Sequence, residues 1–81
     1  MSETPAPRQR VRLRPLRDDW DDLLELLEDL QGYTGRPQAD LYDIVQAIAE
    51  GESVEVDVEV ARRREFAEHM REFDLEVTPL S

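Results

Sequence analysis

The sequence predicts an α/β protein of the two-layer α+β kind, with its elements in the order β-α-α-β-α-β. Residues 11–14 and 54–58 alternate apolar and charged side chains, which is the period of a half-buried strand. Apolar residues recur at helical spacing between these segments and after them. The chain has 81 residues and no cysteine, so a single domain must form one modest core without disulfides or thiolate metal ligands.

The first strand is predicted over residues 11–14, where valine and leucine alternate with arginine. Pro15 is expected to end this strand, since proline has no N–H to donate to a sheet ladder. Residues 1–9 are polar and rich in proline. We therefore expect a disordered N-terminal tail over residues 1–9 and a single folded domain over residues 10–80.

The first helix is predicted to follow an acidic run at residues 18–22. Asp18 and Asp19 are expected to cap it, because aspartate oxygens accept hydrogen bonds from the free N–H groups at a helix start. Gly32 is expected to end it, since glycine readily adopts the left-handed conformation that terminates many helices. The apolar stripe predicted for this helix comprises Trp20, Leu23, Leu24, Leu27 and Leu30, and Leu26 widens it.

The remaining elements follow from the same signals. A second helix is predicted to open at Pro37 and to end at Gly51, and a third helix is predicted to run to Phe73. The second strand, at residues 54–58, lies between these helices, and the last strand is predicted at residues 75–78. The residues expected to share the core include Trp20, Leu24, Leu27, Ile44, Ile48, Val56, Phe66, Met70 and Val77.

The predicted sheet is three-stranded and antiparallel, with the first strand central and the three helices on one face. Each helical segment returns the chain, so the second and third strands run parallel to each other and antiparallel to the first. This topology places Arg12 and Arg14 on the open face, between Glu55 and Asp57 on one side and Glu76 on the other. Opposite charges across neighbouring strands stabilise a sheet by roughly 0.2–1 kcal/mol each.

Charge is distributed unevenly along the chain. Twenty acidic residues stand against ten arginines, with no lysine, which gives a net charge of -10. Residues 1–17 carry five arginines and one acid, whereas residues 18–59 carry fourteen acids and only Arg36. Phosphate contacts require positive charge, so we expect no general nucleic-acid binding by the whole chain. The acidity fits an ordinary solvated surface or adaptation to high salt, and it also fits a face that binds a basic partner or mimics nucleic acid.

The residue combinations of common catalytic sites are missing from the sequence. The single histidine, His69, is expected on the surface of the third helix, and the serines stand outside catalytic motifs. The acidic run at residues 18–22 lacks the spacing and the glycine of a calcium loop. We therefore predict a protein that is not an enzyme, with no catalytic residue, metal ligand or cofactor. Without an apolar run of ~20 residues or a signal-like start, we expect a cytoplasmic protein that makes no membrane contact.

The element order and its intervals resemble the fold shared by two families, over residues 10–80. One is the ClpS-type adaptor of the Clp protease, and the other is the C-terminal, factor-binding domain of the ribosomal stalk protein of the large subunit. On the stalk side, Thr34-Gly35 resembles the turn after the first helix, and the interval from Val58 to Val77 fits without a gap. The stalk domain binds translation factors through lysines on its first two helices, where this chain carries acids.

On the adaptor side, residues 18–20 resemble the acidic pair and aromatic residue that follow the adaptor's first strand, and residues 59–61 resemble the opening of its third helix. In that family, the acidic pair belongs to a pocket for the amino-terminal residue of a degradation substrate. An asparagine, a threonine and a histidine complete that pocket, and Arg17, Asp21 and Ala49 stand near those places here. What the resemblance still implies is an acidic pair that can receive a positive group.

Together these patterns predict a monomeric protein-interaction module, an adaptor or a regulator, that binds a basic or amino-terminal feature of a partner protein. The predicted contact residues lie in the first helix and the connection before it: Asp18, Asp19, Asp21, Asp22, Glu25 and Asp29. A second hypothesis is a nucleic-acid-related protein, which acts either as an acidic mimic or through an RNA-contacting row of arginines. The residues of that row are Arg8, Arg10, Arg12 and Arg14. A third hypothesis is a ribosome-associated structural protein.

Overall fold

Six regular elements follow one another in the predicted order in the structure, a computed structural model that describes residues 6–80. A single turn of 3-10 helix, Val60–Arg62, precedes the last helix. Within residues 6–80, none of the helices combines the length and the apolar composition that crossing a membrane requires. The bounds are β1 Arg8–Pro15, α1 Leu23–Thr34, α2 Gln38–Ala49, β2 Val54–Glu59, α3 Arg63–Glu72 and β3 Leu75–Pro79.

The sheet has the strand order β2-β1-β3, and β1 is antiparallel to both of its neighbours. This confirms the predicted α+β class and the central position of the first strand. The register sets Arg12 opposite Glu55 of β2 and Arg14 opposite Glu76 of β3. The open face therefore carries the opposed charges that the sequence predicts.

β1 is longer than predicted at its N-terminal end. Arg8 and Gln9 pair with Glu59 and Val58 of β2, so β1 begins within the range that the sequence assigns to the tail. The sequence alternation is weak there, because both residues are polar, and the strand extends because β2 supplies a partner for each of them. Residues 1–5 of the predicted tail lie outside the described residues.

α1 begins later than predicted. Its N-cap position is Asp22, whose carbonyl oxygen accepts the Leu26 N–H at 3.1 Å, so the prediction that Asp18 and Asp19 cap the helix is wrong. The segment before Asp22 is not helical, because it connects the end of β1 to the start of α1. A backbone hydrogen bond from the Leu16 N–H to the Asp74 carbonyl, at 2.9 Å, holds the start of that segment.

α1 also continues through Gly32 and ends at Gly35. Gly35 has a φ of 71°, in the left-handed region, and its N–H donates to the Gln31 carbonyl at 2.9 Å. The extra turn buries Tyr33 and Thr34. That burial outweighs the modest cost of a glycine within a helix, so the prediction of an end at Gly32 is wrong.

One cluster of buried side chains joins the helices to the sheet. Of the predicted core, Trp20, Ile44 and Val77 are only partly buried and pack against the cluster. Leu24 is 65% exposed, so its assignment to the core is wrong. α1 buries the face that carries Leu26, Leu27 and Leu30, and Leu24 lies off that face. The buried residues are Val11, Leu13, Leu26, Leu27, Leu30, Tyr33, Leu41, Val45, Ile48, Val56, Val58, Phe66, Met70, Phe73 and Leu75.

The two faces of β1 differ in burial. Val11 and Leu13 are fully buried, whereas Arg10, Arg12 and Arg14 on the other face are exposed. This alternation favours the prediction that all three helices cover the face that carries Val11 and Leu13.

Candidate interaction surface

The connection between β1 and α1 is held by Arg17. Its Nη2 donates to Asp22 Oδ1 at 2.6 Å, and its Nε lies 3.7 Å from Asp74 Oδ2. The guanidinium also stacks on the Trp20 ring, 4.1 Å from its centroid. The hydrogen bond to Asp22 raises the pKa of Arg17 above its ordinary value, against an opposing effect of burial. Asp22 is thus occupied by an internal ion pair and is not free for a partner.

The other acids of the predicted contact set are divided among several places. Asp18, Asp19 and Asp21 are exposed and line, with Arg17 and Trp20, an open depression of about 660 Å³. Glu25 is exposed on α1, whereas Asp29 is only partly exposed. The structure therefore brings three of the six predicted residues together and leaves Glu25 as a separate acid on the helix.

An apolar groove runs between α1 and α2, and we call it the α1–α2 groove. It has a volume of about 520 Å³. Two of its residues, Leu24 and Tyr42, are 65% and 57% exposed. Seven residues line it, from the first half of α1 and from the part of α2 between its fifth residue and its end: Leu23, Leu24, Leu27, Tyr42, Val45, Gln46 and Ala49.

Sequence reasoning missed this groove because it assigned Leu24 to the core. A signal was present in the paired leucines at residues 23–24 and 26–27. Four leucines in five positions cover more of a helix surface than one buried face can take, so some of them must face solvent. Leu26 and Leu27 are buried, Leu23 is partly buried against the core and Leu24 is exposed. Leu23, Leu24 and Leu27 line the groove.

Carboxylates border the α1–α2 groove. Glu28 lies one helical turn after Leu24, and Asp43 lies one turn before Gln46, so each is a surface neighbour of a groove residue. Glu28, Asp43 and Glu25 are all exposed, and none of them forms an ion pair with another residue in the range 6–80. The groove thus combines an apolar floor with an acidic border.

The arginine row of the alternative hypothesis lies on β1. Arg10 Nε lies 3.3 Å from Asp57 Oδ1, Arg12 Nη2 lies 3.7 Å from Glu55 Oε2, and Arg14 Nη1 lies 3.8 Å from Glu76 Oε1. Arg8 donates from Nη1 to the Thr34 carbonyl at 3.0 Å. The row is exposed, but the acids of β2 and β3 match three of its charges, so it is not a free positive patch.

A polar cluster joins the end of α1 to α3. The Tyr33 hydroxyl lies 3.0 Å from His69 Nδ1 and beside the Glu65 carboxylate, and the Arg62 guanidinium lies 4.4 Å from the Tyr33 ring centroid. Burial, and then the hydrogen bond to Glu65, raise the pKa of Tyr33 above its ordinary value. The hydrogen bond from Tyr33, and then that from Arg62, lower the pKa of Glu65. His69 itself is exposed, as predicted.

The cluster around Tyr33 fastens α3 to α1, and every member of it is satisfied by a neighbour. In the part of the chain that the structure describes, no group of three or more histidine or acidic side chains is arranged to hold a metal ion. Comparisons with protein-family models, curated proteins and solved structures return no significant match for this chain. The candidate function therefore rests on the geometry and charge of the surface.

Proposed function

We propose that the protein is a non-enzymatic interaction module of the cytoplasm, an adaptor or a regulator. It binds a basic region of a partner protein through the α1–α2 groove and the acids that surround it. The observation that carries this proposal is the combination of exposed Leu24 and Tyr42 with a border of unpaired carboxylates. The resemblance to the ClpS-type adaptor and to the stalk domain, both of which bind proteins, agrees with this proposal.

The apolar groove and the acids beside it contribute to binding in different ways. Covering an exposed leucine or aromatic side chain contributes about 1.5–3 kcal/mol, and a few such contacts dominate most protein interfaces. Acids of one sign attract a basic partner from a distance and speed its association. The open depression beside Asp18, Asp19 and Asp21 extends the acidic region toward the start of α1.

Charge reversal on α1 tests the proposal. The double variant Glu25→Arg/Glu28→Arg changes two exposed acids that have no internal partner within the described chain. Glu68→Arg/Glu72→Arg is the matched control, because it makes the same change on the exposed face of α3. Partners captured from a native lysate are identified by mass spectrometry, and each is then measured with purified proteins.

The proposal is supported by a partner that binds the unchanged protein and the α3 control with the same affinity. Its affinity for the α1 variant should be at least tenfold lower, and its binding should weaken at high salt. The variant Arg10→Gln/Arg12→Gln/Arg14→Gln tests the nucleic-acid hypothesis in parallel. Binding that survives the α1 reversal but fails with these arginine changes contradicts the proposal and favours RNA contact through β1.

A further inference from the structure

We infer that the α1–α2 groove binds one amphipathic helix, which presents an apolar stripe flanked by arginine or lysine. This inference rests on the proposed function, because it names the kind of partner segment that the same surface accepts. Three properties of the groove carry it: its helical walls, its apolar floor and its acidic border.

The walls of the groove favour a helix over an extended strand. A bound strand gains most of its affinity from main-chain hydrogen bonds to a sheet edge. Both walls here are α-helices, Leu23–Thr34 and Gln38–Ala49, whose backbone groups are already paired within each helix away from the ends. An extended peptide would therefore leave its own N–H and C=O groups without partners in the groove, whereas a helix satisfies them internally.

The floor of the groove has the composition and the length that a helix stripe requires. The Gln46 amide and the Tyr42 hydroxyl are the polar groups among the seven side chains that line it, so the groove offers few groups to orient a polar ligand. On α2 the lining runs from Tyr42 to Ala49, which are seven residues apart, and this corresponds to about 10 Å along a helix axis. That length matches an apolar stripe with anchors at positions i, i+3 or i+4, and i+7 of a partner helix.

The border of the groove selects the charge of the occupant. Glu28 and Asp43 lie one helical turn from the groove residues Leu24 and Gln46, on α1 and α2. Basic residues beside the apolar stripe of a partner would pair with these acids when the helix docks. A second copy of this chain is disfavoured as the occupant, because a two-fold interface would bring the same acids against each other.

A designed peptide tests the inference directly. The probe is an 18-residue fluorescent peptide that, as a helix, carries leucine anchors on one face and lysine and arginine elsewhere. A second peptide has the same composition in an order that disperses the leucines around the helix, and a third keeps the leucine stripe but has glutamate in place of the basic residues. Fluorescence anisotropy measures binding, and circular dichroism measures whether the peptide becomes helical in the complex.

The protein variants are matched in the same way. Leu24→Ala removes an exposed leucine of the groove, and Leu16→Ala removes a leucine that is 57% exposed and lies outside the groove. Both changes spare the core, which urea unfolding checks. We expect the basic amphipathic peptide to bind with an affinity that is roughly micromolar, because the groove is small. We expect Leu24→Ala to weaken binding about tenfold and Leu16→Ala to change it less than twofold.

Each outcome bears on the inference. Helix induction together with at least tenfold weaker binding of both control peptides supports it. Equal binding of the dispersed peptide, or no effect of Leu24→Ala, overturns the inference, whereas the proposed function fails only if lysate partners also ignore the reversal at Glu25 and Glu28. A concentration-dependent dimer in analytical ultracentrifugation that Leu24→Ala abolishes would overturn it as well, because a second copy would then occupy the groove.

Discussion

Two exposed and charged regions of this protein differ in how their charges are matched. On the open face of the sheet, each of Arg10, Arg12 and Arg14 lies within 4 Å of an acid on a neighbouring strand. On the α1–α2 side, the exposed acids Glu28 and Asp43 have no basic partner within residues 6–80, and they lie beside an apolar groove. On the sheet face, these three arginines are paired with acids. On the α1–α2 side, both the carboxylates and the exposed apolar side chains lack a partner within residues 6–80.

This difference shows on which surface the charges can be explained by the stability of the fold alone. Pairing across strands stabilises the sheet, so the charges of the open face contribute to the fold even if no other molecule touches them. Like charges gathered on two helices repel each other. The exposed parts of Leu24 and Tyr42 add no hydrophobic stabilisation, because they remain in contact with water. The proposed role in binding would account for the second region, and the predictions below separate the two regions by stability, salt and pH.

The largest effect is expected from two leucines of α1 that differ in burial. Leu27 is 2% exposed, so Leu27→Ala leaves a cavity in the core and should lower the free energy of unfolding by about 2–5 kcal/mol. Leu24→Ala removes a side chain that is 65% exposed and should cost less than about 0.5 kcal/mol. Urea unfolding measures both variants. Equal losses would show that Leu24 belongs to the core and that the groove is closed in solution.

Charge reversal should separate the two regions at the level of stability. Arg12→Glu places a like charge opposite Glu55 and should lower the free energy of unfolding by about 1 kcal/mol. Glu28→Arg relieves repulsion among acids and should leave the stability unchanged or raise it by a few tenths of a kcal/mol. If the two reversals destabilise equally in urea unfolding, Glu28 has a structural partner and the acidic border of the groove is not free.

Salt should stabilise the protein as a whole. The net charge is -10, and screening grows as the Debye length falls from ~30 Å at 0.01 M to ~3 Å at 1 M salt. Weaker repulsion among the acids should outweigh weaker pairing on the sheet, so the melting temperature should rise by roughly 4–8 °C for each ~1 kcal/mol gained. Scanning calorimetry follows the change, with Glu25→Gln/Glu28→Gln as a variant in which the rise is smaller. A flat or falling curve would mean that the acids are balanced locally.

The smallest effect is expected at alkaline pH, from Tyr33. Burial raises the pKa of Tyr33 in the folded state, so above the ordinary tyrosine value, about 10, the folded chain holds a proton that the unfolded chain has lost. Stability should therefore fall as the pH rises through and above about 10, and Tyr33→Phe should reduce that fall. Tyr42→Phe is the matched control, because Tyr42 is 57% exposed. Identical pH profiles for the two variants would show that Tyr33 titrates as an exposed tyrosine does.

The sequence by itself determined the order of the elements, the central position of β1 and the opposed charges on the open face of the sheet. These features depend on local periodicity and on the short list of topologies that connect three strands and three helices. Alternation along β1 and β2 decides which side chains point to each face, so the pairing of Arg12 with Glu55 followed once the strand order was known.

Only the tertiary structure decided which acids are free and which apolar residues are exposed. Asp22 belongs to the same acidic run as Asp21, yet Asp22 is paired with Arg17, which Asp74 also approaches from the other end of the chain. Leu24 fits the helical period as well as Leu27 does, but the face of α1 that is buried depends on how the helix sits against the sheet and α2. The approach of Asp74 to Arg17 and the packing of α1 against the sheet both join residues distant in sequence, and periodicity within one segment carries no information about such contacts.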